Sequence, residues 1–285
     1  MRKIPVRSIT TASGSGSGYI SVRSLASIQQ GGALQHTLHR HTYFFILLVQ
    51  TGKGIHTIDF TRYPVKQQSV YILRPGQVHE LRLEAGAIGS ILEFESSFYQ
   101  PADVSTSFAF RKAVGKNYCK VSSARFKKLI NLVTDIRDEL AGKYPGYDAY
   151  IKNCLANVFI ELNRQSTSPN RISERSQPYQ QDLFERFRAL LEQTIAEQKP
   201  VNWYAQQLHL SPFQLNKLTS TMTGQTVSQF VNDQLVLEAK RQLLATSSQV
   251  KEIAGALGFE DPSYFIRFFR KQTGFAPEAF RQHFK

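Results

Sequence analysis

Apolar positions along the first third of the chain fall into short runs and alternations closed by turn residues. Tyr43-Phe44-Phe45-Ile46-Leu47-Leu48-Val49 predicts a buried strand, and Gln50-Thr51-Gly52-Lys53-Gly54 a turn after it. Ile55, Thr57 and Asp59 alternate with His56, Ile58 and Phe60. Residues 70–73 make another strand, closed by Pro75-Gly76, and residues 88–94 a last one. Evenly spaced short strands favour a sandwich or barrel. Residues 96–121 are poorly patterned. The period then lengthens to that of a helix. Phe126, Leu129, Ile130, Val133, Ile136 and Leu140 make one stripe, and Gly142-Lys143-Tyr144-Pro145-Gly146 breaks it. Tyr147, Tyr150, Ile151, Cys154, Leu155, Val158, Phe159 and Leu162 make a longer one. Residues 166–178 are polar with prolines, a linker. Beyond them Leu183, Phe184, Phe187, Leu190, Leu191 and Ile195 begin a helical region that runs to the end. The fold class is α+β and multidomain.

The C-terminal region contains its own repeat. Gly258 precedes Asp261-Pro262, a good N-cap followed by a residue suited to the first helical position, and Gly274 stands where a helix ends. Between them Phe265, Phe268 and Phe269 form one apolar face. Ser263, Tyr264, Arg267, Arg270 and Lys271 lie off it. Fifty residues upstream, Pro212, Leu215, Lys217, Leu218 and Thr223-Gly224 match Pro262, Phe265, Arg267, Phe268 and Thr273-Gly274. The short helices ahead of the two copies, Ala205-Gln206-Gln207-Leu208 and Ala254-Gly255-Ala256-Leu257, align at an offset one residue shorter, so the two turns differ by one residue. Two tandem helix-turn-helix units follow from the self-similarity, joined by one long helix over residues 227–244. Two rigidly linked recognition helices can enter successive major grooves about 34 Å apart.

At this point residues 200–284 resemble the AraC/XylS family of bacterial transcription regulators. The carriers are Gly258-Phe259, Ser263-Tyr264-Phe265, Arg267, Phe269-Arg270-Lys271, Gly274, Pro277, Phe280-Arg281, and Ala239-Lys240-Arg241 with Leu243-Leu244. The resemblance implies that Asn216 and Lys217 reach bases in one groove. It implies that Pro262, Ser263, Tyr264 and Arg267 face bases in the other, with Arg270 and Lys271 nearer phosphates. Lys217 stands where the family usually has Arg, Thr219-Ser220 where it has Phe-Lys, and His209 where Gly is common, so the first unit is the weaker or a different reader. The strands resemble, less specifically, the cupin-like barrel that carries the sensor in many members. Those carriers are His39-Arg40-His41, Gly52-x-Gly54 and Pro75-Gly76-Gln77-Val78-His79. This resemblance implies an effector-binding set of His39, His41, Tyr43, Phe45, Arg74 and His79. It also implies an antiparallel dimer contact through Tyr150, Ile151, Cys154, Leu155, Val158, Phe159 and Leu162.

His39 and His41 share a strand face and His79 can approach from a neighbour. Metal cupins add a carboxylate four residues after the second histidine. That position is Phe45 here, which argues for an organic pocket with no metal or cofactor. His36 and His56 are expected at the surface. No Ser/His/Asp or Cys/His arrangement and no phosphate-binding loop is present, so no catalytic residue is assigned. The different-class alternative is a cupin-type metalloenzyme or metal sensor fused to a DNA-binding domain.

Charge sharpens the ligand class. Of 35 Lys and Arg and 22 Asp and Glu, residues 176–285 hold 12 and 10, and residues 1–175 hold 23 and 12. The basic excess, including the run from Arg111 to Lys128, therefore lies outside the helix-turn-helix part and is consistent with an anionic effector. Two unpatterned cysteines, no apolar run of membrane length and no secretory signal fit a cytoplasmic chain. The expected organisation is a flexible arm (1–18), a cupin-like effector-binding and dimerisation domain (19–165), a linker (166–178) and a DNA-binding domain (179–285). The expected partners are double-stranded DNA, a small-molecule effector, a second copy, and RNA polymerase if the protein activates.

Overall fold

A computed structural model describes residues 6–7, 19–164 and 177–284, with the backbone alone at 6–7, 177 and 178. The expected arm and linker otherwise lie outside the described residues. The chain divides into two compact units, an N-terminal one ending at Ser173 and a C-terminal one from Glu174.

The N-terminal unit contains strands β1 (Val6–Arg7), β2 (Ile20–Ser24), β3 (Leu34–His41), β4 (Phe44–Thr51), β5 (Gly54–Ile58), β6 (Thr61–Val65), β7 (Ser69–Leu73), β8 (Val78–Leu83), β9 (Ile88–Phe94) and β10 (Tyr118–Lys120). Its helices are α1 (Leu25–Gln29), α2 (Val104–Val114), α3 (Ser123–Gly142) and α4 (Tyr147–Arg164). One sheet runs β1-β3-β8-β5-β6 and the other β10-β7-β4-β9-β2. The continuous apolar run of β4 is explained by burial on both faces. Phe45, Leu47 and Val49 join Leu34, Ile58, Leu81 and Leu83 of the opposite sheet in the barrel interior. Phe44, Ile46 and Leu48 pack with Phe126, Leu129, Leu155 and Phe159 of the covering helices.

The secondary structure and packing of this unit depart from the sequence reading at residues 96–121 and at α4. Residues 96–121 contain α2 and β10. Helix α2 starts at a capping box, in which Asp103 accepts from the Thr106 N–H and the Thr106 side chain is bonded back to the Asp103 backbone. Its buried residues are small, Ala109, Ala113 and Val114, so it leaves no strong apolar stripe to read. The α4 stripe expected at a dimer contact is buried within its own subunit. Ile151, Cys154, Leu155, Val158, Phe159 and Leu162 are 0–5 % exposed, while Tyr150 is 48 % exposed. The six therefore cannot meet a second subunit without opening this core.

The C-terminal unit holds α5 (Gln177–Thr194), a 3-10 turn (Ile195–Glu197), α6 (Val201–Gln207), α7 (Pro212–Thr223), α8 (Val227–Ala245), α9 (Val250–Ala256), α10 (Pro262–Thr273) and α11 (Pro277–His283). Phe184, Phe187, Tyr204, Leu215, Leu218 and Phe230 form the core of its first half. Helix α8 packs on both halves, touching α7, α9, α10 and α11. No helix among the described residues is long and apolar enough to cross a membrane.

Candidate nucleic-acid interface and histidine cluster

The two helix-turn-helix units are built by the same local device. In the first, the Leu210 N–H donates to the Ala205 carbonyl at 2.9 Å around His209 at φ 55°. In the second, the Phe259 N–H donates to the Ala254 carbonyl at 2.9 Å around Gly258 at φ 77°. A left-handed residue and a reach-back hydrogen bond close both front helices. The one-residue difference lies after this lock, where Ser211 alone precedes Pro212 but Glu260-Asp261 precedes Pro262. Ser211 forms a capping box with Gln214, and Asp261 accepts from the Ser263 N–H at 2.8 Å. That bond is the main cause holding the Asp261 carboxyl below its ordinary range.

Helix α10 buries Phe265 and Phe269 completely, with Phe268 half-buried against Phe259. Each buried phenylalanine is worth about 1.5–3 kcal/mol. The Arg267–Asp261 contact, 3.9 Å between side chains that are 70 % and 58 % exposed, is a solvent-screened surface pair that stabilises little. The phenylalanines therefore set the orientation of the helix, and Arg267 can leave Asp261 for a base at little cost. Ser263, Tyr264, Arg267, Arg270 and Lys271 are exposed, with Pro262 half-buried. Ile266, which the sequence reading passed over, shares their face at 39 % exposure. On α7, Phe213 and Lys217 are exposed over buried Leu215 and Leu218. Asn216 is exposed too, but its Oδ1 accepts from the Val227 N–H at 3.1 Å. It thus helps to satisfy the start of α8, which leaves only its amide N–H groups for a base.

In the N-terminal unit, five of the six expected effector residues converge. His39 and His41 on β3 and His79 on β8 lie inside the barrel, and Tyr43 and Phe45 stand against His41 at ring centroid distances of 4.4 and 5.3 Å. Arg74 stands at the turn before Pro75-Gly76, where its N–H donates to Gln77 Oε1. His56, expected at the surface, is fully buried, and its Nε2 lies 2.8 Å from His79 Nδ1. The missed signal is parity: Ile58, two residues on, is an interior side chain, so His56 faces inward as well. His36, also expected at the surface, is half-buried with its ring edge-on to His39 at 5.8 Å. Burial, and then His39, lowers the His56 pKa to about 3. Burial, and then His56, holds His79 well below the ordinary imidazole range. Both rings are therefore neutral at pH 7.

Sequence reading also missed Glu93, a buried carboxylate on β9 with the inward parity of Ile91. It accepts from Tyr43 Oη at 3.3 Å, Ser21 Oγ at 3.0 Å and Arg23 Nη2 at 2.9 Å. A cleft of about 530 Å³ opens at the other end of these strands, lined in part by Lys53, Arg82 and Glu84.

Comparison with known proteins adds to this geometry. A family described as the AraC-like ligand binding domain matches residues 27–180, and one described as a helix-turn-helix domain matches residues 204–283. The chain is 23% identical over 267 residues to the uncharacterized HTH-type transcriptional regulator YfiF of Bacillus subtilis (strain 168), covering 87% of this chain and 79% of that protein. It is 23% identical over 248 residues to the HTH-type transcriptional activator RhaS of Pectobacterium carotovorum subsp. carotovorum (strain PC1), covering 85% and 86%. Among solved structures, the C-terminal domain of the response regulator yesN from Fusobacterium nucleatum is 27% identical with a TM-score of 0.33, over 34% of this chain and 96% of that one.

Proposed function

The chain belongs to the AraC family of ligand-responsive, DNA-binding transcription regulators, and from that premise we propose how it reads DNA and senses its effector. Helices α7 and α10 enter successive major grooves on one face of a duplex. Lys217 and the Asn216 amide N–H groups meet bases in one groove. Ser263, Tyr264 and Arg267 meet bases in the other, with Pro262 at the groove edge and Arg270 and Lys271 on phosphates. The observation that carries this reading is the pair of capped helices, each buried on its apolar side and exposed on its polar, cationic side. Arginine suits guanine, whose O6 and N7 accept its two parallel N–H groups.

The experiment is selection of bound sequences from a random duplex pool, followed by binding titrations over a range of salt. Lys271→Ala should weaken every sequence alike and lower the salt slope by about 1, the signature of one lost phosphate contact. Unchanged salt dependence would remove Lys271 from the phosphate set.

The N-terminal unit is the sensor, and its histidine-lined interior, with Tyr43 and Phe45, is the sensing site. Arg74 guards its rim. An anionic effector fits the basic balance of residues 1–175. Effector binding shifts the population between two states that differ in which pairs of sites a homodimer can occupy, and it does so only as far as the effector distinguishes those states. Activation matches the role named for the relative RhaS, a transcriptional activator, and RNA polymerase is the partner an activator would engage. Light scattering on the full chain should give twice its 32.4 kDa mass. A monomer at the concentrations that bind DNA would refute the dimer.

A further inference from the structure

We infer that His39, His41 and His79 ligate a divalent transition-metal ion inside the barrel through their Nε2 atoms, and that His56 holds His79 in the ligating tautomer. The carrying observation is where the ring nitrogens point. His41 Nε2 and His79 Nε2 are 2.7 Å apart, and His79 Nε2 and His39 Nε2 are 3.1 Å apart. One ligand atom from each of the three lies within 4.8 Å of the others, and all three residues are buried. Two nitrogens at ~2.05 Å from a tetrahedral zinc are about 3.3 Å apart. Seating an ion therefore asks the His41–His79 pair to open by about 0.6 Å and the His79–His39 pair by about 0.2 Å.

Proton accounting points the same way. His39 Nδ1 lies 2.7 Å from the Thr37 carbonyl oxygen, which only accepts. Its Nδ1 therefore carries the hydrogen, and when the ring is neutral its lone pair is at Nε2. If His79 carries its hydrogen on Nδ1 and donates to His56, its Nε2 lone pair opposes that of His39. If the hydrogen sits on Nε2 instead, one N–H must serve both His39 and His41. A cation among the three nitrogens accepts every inward lone pair at once. It also selects the Nδ1–H tautomers that the Thr37 carbonyl and His56 Nε2 are placed to receive. Metal-bound histidines are held by partners of this kind. The residue at position 45, a phenylalanine, supplies no fourth ligand, and a tetrahedral ion bound by three imidazoles keeps one position open. An anionic effector would bind there. That last consequence rests on the sensing role proposed above, whereas the ligand set rests on the geometry.

The test uses full-length protein stripped with a chelator and reloaded with Zn²⁺ or Co²⁺. One ion per chain is expected by elemental analysis, together with a raised melting temperature and, for Co²⁺, the visible absorption of tetrahedral nitrogen ligation. His79→Ala should lower affinity at least 100-fold, with His41→Gln as a second ligand variant should the first not fold. His56→Phe, which keeps a ring but removes the acceptor, should lower it about 10- to 100-fold, and His56→Gln, which can accept, should restore part of that. Substoichiometric binding by the wild type, or equal binding by both ligand variants, would overturn the assignment. Stoichiometric binding that leaves operator affinity unchanged would uphold the ligand set and assign the switching to the effector rather than to the ion.

Discussion

Gly258→Ala should destabilise the C-terminal unit by about 2–5 kcal/mol, combining left-handed strain with forced overpacking, whereas His209→Ala at the matching position should fall within about 1 kcal/mol of wild type. Gly258 sits at φ 77°, and a Cβ there would stand 2.1 Å from the Ala196 carbonyl oxygen. That oxygen belongs to the 3-10 turn after α5 and has no flexible side chain to swing aside. The neighbouring Gln198 Nε2 also donates to the Leu257 carbonyl at 2.8 Å, so the turn is held in place. His209 already takes φ 55° with a side chain, so its strain is present in the wild type and alanine adds none. Thermal melts of the two variants beside titrations on a selected duplex check this. Similar losses from both would mean that the Ala196 carbonyl does not set the cost at Gly258.

Arg281→Met should cost about 3 kcal/mol, the worth of a buried guanidinium's charge-assisted hydrogen bonds to two backbone carbonyls. The side chain is 4 % exposed. Its Nε donates to the Leu243 carbonyl at 3.0 Å, Nη2 to the Ser248 carbonyl at 2.6 Å and Nη1 to Glu278 at 3.2 Å. Leu243 lies in the last turn of α8, so the guanidinium both satisfies a helix-end carbonyl and ties α11 to the chain leading into α9. Methionine keeps the stem and leaves both carbonyls unserved. Lysine should recover little, because the bonds need the planar fork. Chemical denaturation monitored by far-UV dichroism reads the loss. A shift below about 1 kcal/mol would show that water replaces the guanidinium.

The recognition helices were legible because their signals are local. Asp261-Pro262, Ser211-Pro212 and the two terminal glycines mark helix ends wherever they stand, and the repeat marks them twice. The one-residue difference between the turns was readable for the same reason. What escaped depends on partners distant in sequence. The inward turn of His56 needs β5 paired beside β8, and the second role of Asn216 needs the start of α8 nearby. The α4 stripe was visible, but periodicity says only that a face is covered, not by which chain. Glu93 was hidden inside an apolar run, and only its parity with Ile91 marked it as an interior carboxylate.

The central claim, that α7 and α10 each read their own groove of one duplex, is tested most directly by base-by-base selection profiles for wild type, Lys217→Ala and Arg267→Ala. Each variant should lose about 1–3 kcal/mol of discrimination in one segment only, the two segments lying about one helical turn apart. Loss in the same segment for both variants, or full preference retained by Arg267→Ala, would contradict it.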